Sequence, residues 1–282
     1  MSERETDDVV CGLCPHHCRI VEGGTGLCAA RTNRGGKIVC QNYGQMTSLA
    51  LDPIEKKPLY HFRPGSVILS VGSYGCNLLC PFCQNHEISR AKAGDLRTET
   101  LPPEALVQLA EDTRQKYGNI GVAFTYNEPL VSYEYVLDCA KLLRAKDLAV
   151  VLVTNGQMCE APLRKRLPYI DAMNIDLKGF TQTFYDWIGG DLETTKTSIR
   201  LAVEAGVHVE VTTLVIPGRN DNEKEMEAEA CWLASISKEI PLHLSRYFPR
   251  YHCDIPMTPV ETLKKLATVA ERHLKYVHLG NI

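Results

Sequence analysis

Several things are missing from this chain of 282 residues, and each absence narrows what it does. No apolar run approaches the roughly 20 residues of a membrane span, so no membrane helix is expected. Neither sign of charge dominates: 31 Lys and Arg face 34 Asp and Glu. That balance offers no polybasic surface for nucleic acid or for a membrane. The opening Met-Ser-Glu-Arg-Glu-Thr-Asp-Asp is polar where a leader peptide would be apolar, and the cytoplasm is the expected location. Low-complexity segments and solenoid periods are absent too, which removes repeat architectures.

What the chain has in excess is cysteine, with 12 residues. In a reducing compartment such an excess points to metal before disulfide. The distribution agrees. Cys11, Cys14, Cys18 and Cys28 form one group, and Cys76, Cys80 and Cys83 form another. Cys40, Cys139, Cys159, Cys231 and Cys253 are scattered and read as buried small apolar residues or incidental thiols.

The texture changes near residue 66. Residues 1–65 hold a loop-rich lobe, dense in Cys, Gly, Arg and His from residue 11 onward, and 66–282 are expected to form the main domain. There, apolar β-branched runs at 67–71, 121–125, 149–154, 172–176, 207–216 and 241–247 alternate with helical segments near 102–117, 131–146, 160–168, 194–205, 222–237 and 259–273. Near-continuous apolar strands separated by helices argue for parallel βα units with right-handed crossovers. An open doubly wound sheet and a barrel both satisfy this pattern. Polar residues gather where the runs end: Tyr126-Asn127-Glu128, Thr154-Asn155-Gly156, Asp176-Leu177-Lys178, Pro217-Gly218 and Arg246-Tyr247. Such a set suits strand ends converging on one mouth, so the expected fold is α/β, a partial (β/α)6 TIM-like barrel with an N-terminal Cys-rich lobe.

The segment Gly75-Cys76-Asn77-Leu78-Leu79-Cys80-Pro81-Phe82-Cys83-Gln84-Asn85 follows the first of these strands. Thiolates are the usual ligands of iron–sulfur clusters. Four would close a cubane; three leave one iron open for a substrate or cofactor. Structural zinc would ask for a fourth ligand, and the nearest candidate, His86, stands three residues further on.

Cys76-x3-Cys80-x2-Cys83 with the aromatic Phe82 before the last cysteine resembles the signature of the radical S-adenosylmethionine (SAM) superfamily. The continuation Gln84-Asn85 is similar to the pyruvate formate-lyase activating enzyme branch. The resemblance implies a 4Fe-4S cluster on Cys76, Cys80 and Cys83, which would be the catalytic and metal-binding residues. It also implies SAM on the open iron, reductive cleavage to a 5′-deoxyadenosyl radical, and hydrogen abstraction from a substrate. Phe82, Gln84, Asn127, Glu128, Asp176, Lys178 and Arg246 are the expected cofactor-binding residues. Thr125-Tyr126-Asn127-Glu128-Pro129 stands where the family usually has Gly-Gly-Glu against the methionyl amine, so here the acid is kept and the glycines are not. Asp176-Leu177-Lys178 matches a segment that contributes to the SAM site in activating enzymes. Thr154-Asn155 and Ile216-Pro217-Gly218 resemble family segments near the cofactor. Arg246 is a candidate for the mouth, whereas His243 reads better as a satisfied core histidine.

Cys11-x2-Cys14-x3-Cys18-x9-Cys28 offers four thiolates, enough for tetrahedral zinc or a closed second Fe-S cluster. Spacing does not separate the two, and reduced thiols or a redox pair are the alternatives. The wording Cys-Gly-Leu-Cys-Pro-His-His-Cys, then Gly-Leu-Cys-Ala-Ala-Arg, resembles the AmmeMemoRadiSam group of radical SAM proteins, over almost the whole chain to Gly280-Asn281. Members of that group often continue past Gly-Asn into a tail with Cys-Pro-x-Cys; this sequence ends at Ile282, as a short member or a truncated one. The resemblance implies an electron donor such as ferredoxin or flavodoxin. It leaves three functions: activation of a glycyl radical enzyme by attack on a protein substrate, radical modification of a small molecule or another protein side chain, or a non-catalytic redox module.

Overall fold

The computed structural model describes residues 8–282. Its frame is one sheet of eight strands: β1 (Ser48–Pro53), β2 (Val67–Gly72), β3 (Asn119–Phe124), β4 (Ala149–Thr154), β5 (Ala172–Asp176), β6 (His208–Val215), β7 (Leu242–Arg246) and β8 (Val277–Gly280). Each strand lies beside its predecessor in the chain. β1 is antiparallel to β2, and all later pairs are parallel. A doubly wound sheet reverses direction at a switch point. This one never does, and a singly wound order curls toward a barrel.

The crossovers are α1 (Pro103–Tyr117), α2 (Tyr133–Ala145), α3 (Glu160–Arg166), α4 (Leu192–Glu204), α5 (Glu223–Ile236) and α6 (Val260–Ala270). Their apolar stripes face the sheet: Leu106, Leu143, Leu163, Ile199, Leu233 and Leu263 are essentially fully buried. Each such side chain contributes on the order of 2 kcal/mol of burial energy. Local signals set the ends. Asp191 and Asn222 accept from the backbone N–H groups of Thr194 and Glu225, capping α4 and α5. The Asp191 cap moves the start of α4 ahead of the position expected from periodicity.

Two strands and one short helix differ from the expectation. β1 sits inside the segment read as a loop-rich lobe, so the sheet begins before residue 66. β8 adds a seventh parallel strand to the six expected. Gln182–Ile188 forms a helix between β5 and α4. β8 has only four residues, and β1 is a half-exposed edge strand rather than a continuous apolar run.

β1 and β8 are the two edges of the sheet, so the barrel is incomplete. Residues 54–62 fill the floor beneath the gap. Tyr60 N and His61 N donate to the two oxygens of Glu210 at 3.0 and 2.7 Å, and His61 Nε2 lies 2.9 Å from His278 Nε2 on β8. Glu210 is fully buried on β6 and also takes hydrogen bonds from His208 and His243. Burial opposes its charge, but these four donors outweigh burial and hold its carboxyl down to about 2. His243 is therefore a satisfied core histidine of the barrel floor.

The N-terminal residues form two small hairpins, Val9–Val10 with Arg19–Ile20 and Arg31–Arg34 with Lys37–Cys40. The loop of the first packs against the triad loop and the start of α3, and the second lies against α2, where Arg31 pairs with Glu134.

Candidate active site

The three-cysteine loop leaves the end of β2 and is tied down along its length. Gly75 N donates to Ile88 O at 3.0 Å, and Leu79 N donates to Ile188 O at 2.8 Å. Between them, Asn127 at the end of β3 acts as a staple. Its Oδ1 accepts from Ser73 N at 2.9 Å, while its Nδ2 donates to Tyr74 O and Gly75 O at 3.1 and 3.0 Å. The Cys83 N–H turns back to Cys80 O at 3.2 Å, which coils the loop so that its thiols face inward. Phe82 is buried and packs on Trp187 and Phe184, anchoring the aromatic position beside Cys83.

Cys76, Cys80 and Cys83 line a cavity of about 350 Å³ inside the open end of the barrel. Glu128, Thr154, Asp176, Lys178, Thr212, Ser245 and Asn281 complete it from successive strand ends. Glu128 is buried, and its oxygens accept from Leu130 N (2.9 Å), Thr154 Oγ1 (2.7 Å) and Asn155 N (2.7 Å). Burial dominates these donors and raises its carboxyl to about 7. Lys178 Nζ lies 3.0 Å from Asp176 Oδ2. Burial alone would lower this ammonium; Asp176, then Cys80 and Cys83, overcome it and hold the lysine protonated well above its ordinary range. Burial pushes the Cys80 thiol up to about 11, and the Lys178 charge works against that rise. Two polar groups reach the other thiols: Asn155 Nδ2 lies 3.7 Å from Cys76 Sγ, and Ser89 Oγ lies 3.2 Å from Cys83 Sγ.

The spacing of the thiols tests what they fit. Among the described residues, only Glu227, Cys231 and His273 bring three metal-ligating atoms within 4.8 Å of one another. The three triad thiols therefore stand wider apart than the ligands of a single ion. A cubane asks for that spread, because each cysteine binds a different iron. A cation beside the thiols and donors aimed at sulfur suit an anionic cluster, and the adjoining cavity leaves room at the position no cysteine fills. The residues present fit a three-cysteine 4Fe-4S cluster.

Most expected cofactor residues meet at this cavity: Phe82, Gln84, Asn127, Glu128, Asp176 and Lys178. Asn127 differs in role, since its side chain is committed to the loop backbone. Arg246 is corrected. Its register partner is Val215, whereas Ser245 pairs with Leu214. Alternation along β7 therefore turns Ser245 inward and Arg246 outward, where its Nε donates to Thr258 O at 2.7 Å. Pro217 and Gly218 likewise stay outside the cavity lining. Sequence reasoning missed Lys56, Lys57, Thr212 and Asn281, and it marked Ser245 only as a polar group at the end of the sixth strand. Lys57 comes up from the barrel floor, where Asp52 holds it at 2.8 Å and Tyr126 O–H donates to the same carboxylate at 2.9 Å. No local motif marks a lysine that reaches the cavity by a plugging loop.

Comparison with known proteins agrees with this geometry. Residues 70–230 match the family model described as the radical SAM superfamily. An uncharacterized protein of Methanocaldococcus jannaschii is 39% identical over 99% of this chain and 83% of its own length. A second protein of that organism, named provisionally as a glycyl-radical enzyme activating enzyme, is 23% identical over 74% of this chain and 87% of its own. Among solved structures, a domain of pyruvate-formate lyase-activating enzyme from Bacteroides vulgatus superposes with a TM-score of 0.50 at 21% identity, over 57% of this chain and 99% of that one.

Proposed function

The chain belongs to the radical SAM superfamily, and from that premise we propose that it takes a hydrogen atom from a segment of a protein partner, as an activating enzyme does. Bound together, a 4Fe-4S cluster and SAM supply one-electron cleavage of the sulfonium and a 5′-deoxyadenosyl radical. In this reading Cys76, Cys80 and Cys83 hold three irons, and Glu128, Asp176 and Lys178 orient the methionyl end. Lys178, kept protonated, suits a carboxylate; the acidic Glu128 and Asp176 suit an amine.

One observation carries the choice of a protein substrate. Residues 248–257 pack directly on the triad loop: His252 N donates to Pro81 O at 2.8 Å, and Tyr251 stacks on His86 with ring centroids 4.4 Å apart. The same segment leaves Phe248, Tyr251 and Met257 about 40–50% exposed. Large apolar side chains exposed together beside a site suit a polypeptide that docks there. The resemblance to activating enzymes in sequence and fold supports the same reading. The electron donor would be a protein of ferredoxin or flavodoxin type.

The test is isotopic. The reconstituted, reduced enzyme is given SAM and a deuterated glycyl radical enzyme partner, and 5′-deoxyadenosine is examined for label. Label in the nucleoside and a glycyl radical signal on the partner are expected. Label arriving only from a deuterated small molecule would sink the proposal and favour the second reading, a small-molecule substrate. Lys56 and Lys57 on the cavity wall are the observation in that reading's favour.

A further inference from the structure

The mechanism above makes no use of Cys11, Cys14, Cys18 and Cys28. The structure gathers them in one place. All four line a single recess with His16, Arg31 and Asn77, although up to 17 positions separate them in the chain. Cys11, Cys14 and Cys28 are buried and Cys18 half-buried. Cys11 N donates to Cys18 O at 2.9 Å, closing the loop that carries the first three thiols. Cys28 arrives from the other side, packed with Ala30 and Val131.

Four buried thiols in one recess need a partner, and their spacing says which. One zinc ion holds its thiolates about 3.8 Å apart, given Zn–S bonds of about 2.3 Å in a tetrahedron. No three donor atoms of this group, His16 and His17 included, lie within 4.8 Å of one another. The thiols thus converge on one recess at a spacing wider than the ligands of a single zinc ion. The triad has the same property.

Charge agrees. Arg31 is 6% exposed and lines the recess. Its two terminal nitrogens bind Glu134, and its side chain also hydrogen-bonds the Cys40 thiol. It thus brings a buried cation to the edge of the recess, which suits an anionic cluster.

The recess is also fixed against the first site. The His16 ring donates from Nε2 to Asn77 O at 2.6 Å, and Asn77 follows Cys76. Cys159 N donates to Leu13 O at 3.0 Å, docking the same loop on α3. Gly75, at φ +90°, lies so close to Cys28 that a methyl group there would stand 2.4 Å from the Cys28 carbonyl oxygen. These are contacts of a built site rather than of loose surface thiols.

We propose that Cys11, Cys14, Cys18 and Cys28 hold a second iron–sulfur cluster, closed by four protein ligands and seated directly behind the loop of the first. Binding replaces the four thiol protons with bonds to iron, and no open metal position is left for a substrate.

The experiment removes the first site and asks whether iron stays. C76A/C80A/C83A protein is reconstituted anaerobically with iron and sulfide, and its fold is checked by circular dichroism. Iron and acid-labile sulfide in matching amounts are expected, with visible absorption that dithionite bleaches. Adding C11A/C18A should abolish both. Folded C76A/C80A/C83A that retains zinc in place of iron, or that retains no metal, would overturn the proposal. Should that variant fail to fold, wild type is compared with C11A/C18A: wild type must carry more iron and sulfide per chain, and equal contents would overturn it. Because the decisive sample lacks the triad, its result does not depend on the proposed substrate.

Discussion

The two cysteine groups of this protein differ in what surrounds them more than in what they are made of. The triad stands on one short loop, and its thiols face a 350 Å³ cavity built from the ends of β2 through β8. The quartet comes from the loop of the first hairpin and from the segment joining the two hairpins, and it faces a recess closed by its own segment and the back of the triad loop. Three ligands and a cavity leave a position where chemistry can occur; four ligands and no cavity do not. Lys178, Asp176 and Glu128 give the triad a charged wall of both signs. The quartet has one buried cation, Arg31, and is otherwise lined by apolar side chains, the His16 ring and the Asn77 amide. The contrast teaches that ligand count and adjoining space, taken together, separate a reactive metal site from a resting one.

The comparison can be broken most severely at the triad. Cys80→Ala should lower reductive cleavage of SAM to background, at least about 1,000-fold, because the three thiols act as a unit. Iron held by the quartet should persist. Loss of all iron in that variant would erase the distinction between the two sites.

Gly75→Ala attacks the contact between them. The new methyl would collide with the Cys28 carbonyl at a backbone angle that side chains rarely adopt. A loss of about 2–3 kcal/mol is expected, read as a lower denaturant midpoint, with iron retention reduced at both sites. Loss at one site alone would mean that the two fold independently.

Glu229→Gln supplies a reference away from both. Glu229 is buried on α5, accepts from Thr213 Oγ1, and burial raises its carboxyl from 4.5 to about 8. The folded chain keeps a proton that the unfolded chain releases above its ordinary range. The associated stability is present below about pH 4.5 and is lost as pH rises through about 8. The variant should flatten the stability profile between those values in thermal melts, with iron content unchanged. An unflattened profile would show that Glu229 ionises freely in the folded chain.

The smallest effect is expected at Arg246→Ala. Its side chain points to Thr258 and away from the cavity, so the KM for SAM should stay within about twofold. A tenfold rise would return Arg246 to the site.

Much of this was legible in residue order. The strand–helix alternation gave six of the seven parallel strands, and boundaries moved by at most three residues, as where the Asp191 cap decided one. The spacing of Cys76, Cys80 and Cys83 marked the reactive loop directly, because one loop of eight residues must wrap a single object. Glu128, Asp176 and Lys178 were readable because each ends or follows an apolar run. Ser245 and Asn281 were not. They are ordinary polar residues whose importance comes from register: Ser245 faces inward because it pairs with Leu214, and Asn281 follows a strand too short to announce itself. Lys57 was hidden for another reason, since it enters through a loop that plugs the barrel from below. Cys159 passed as one of the scattered thiols, although its backbone docks the quartet loop.

The sequence by itself determined the cysteine spacings and the polar residues at the strand ends, since both are written in spacings of a few residues that local geometry preserves. Tertiary structure decided that the barrel stays open between β1 and β8, that Arg246 turns away, and that the two cysteine groups lie back to back. Those facts depend on which strand pairs with which and on close approaches such as Gly75 to Cys28. They join residues tens of positions apart, where no local pattern reaches.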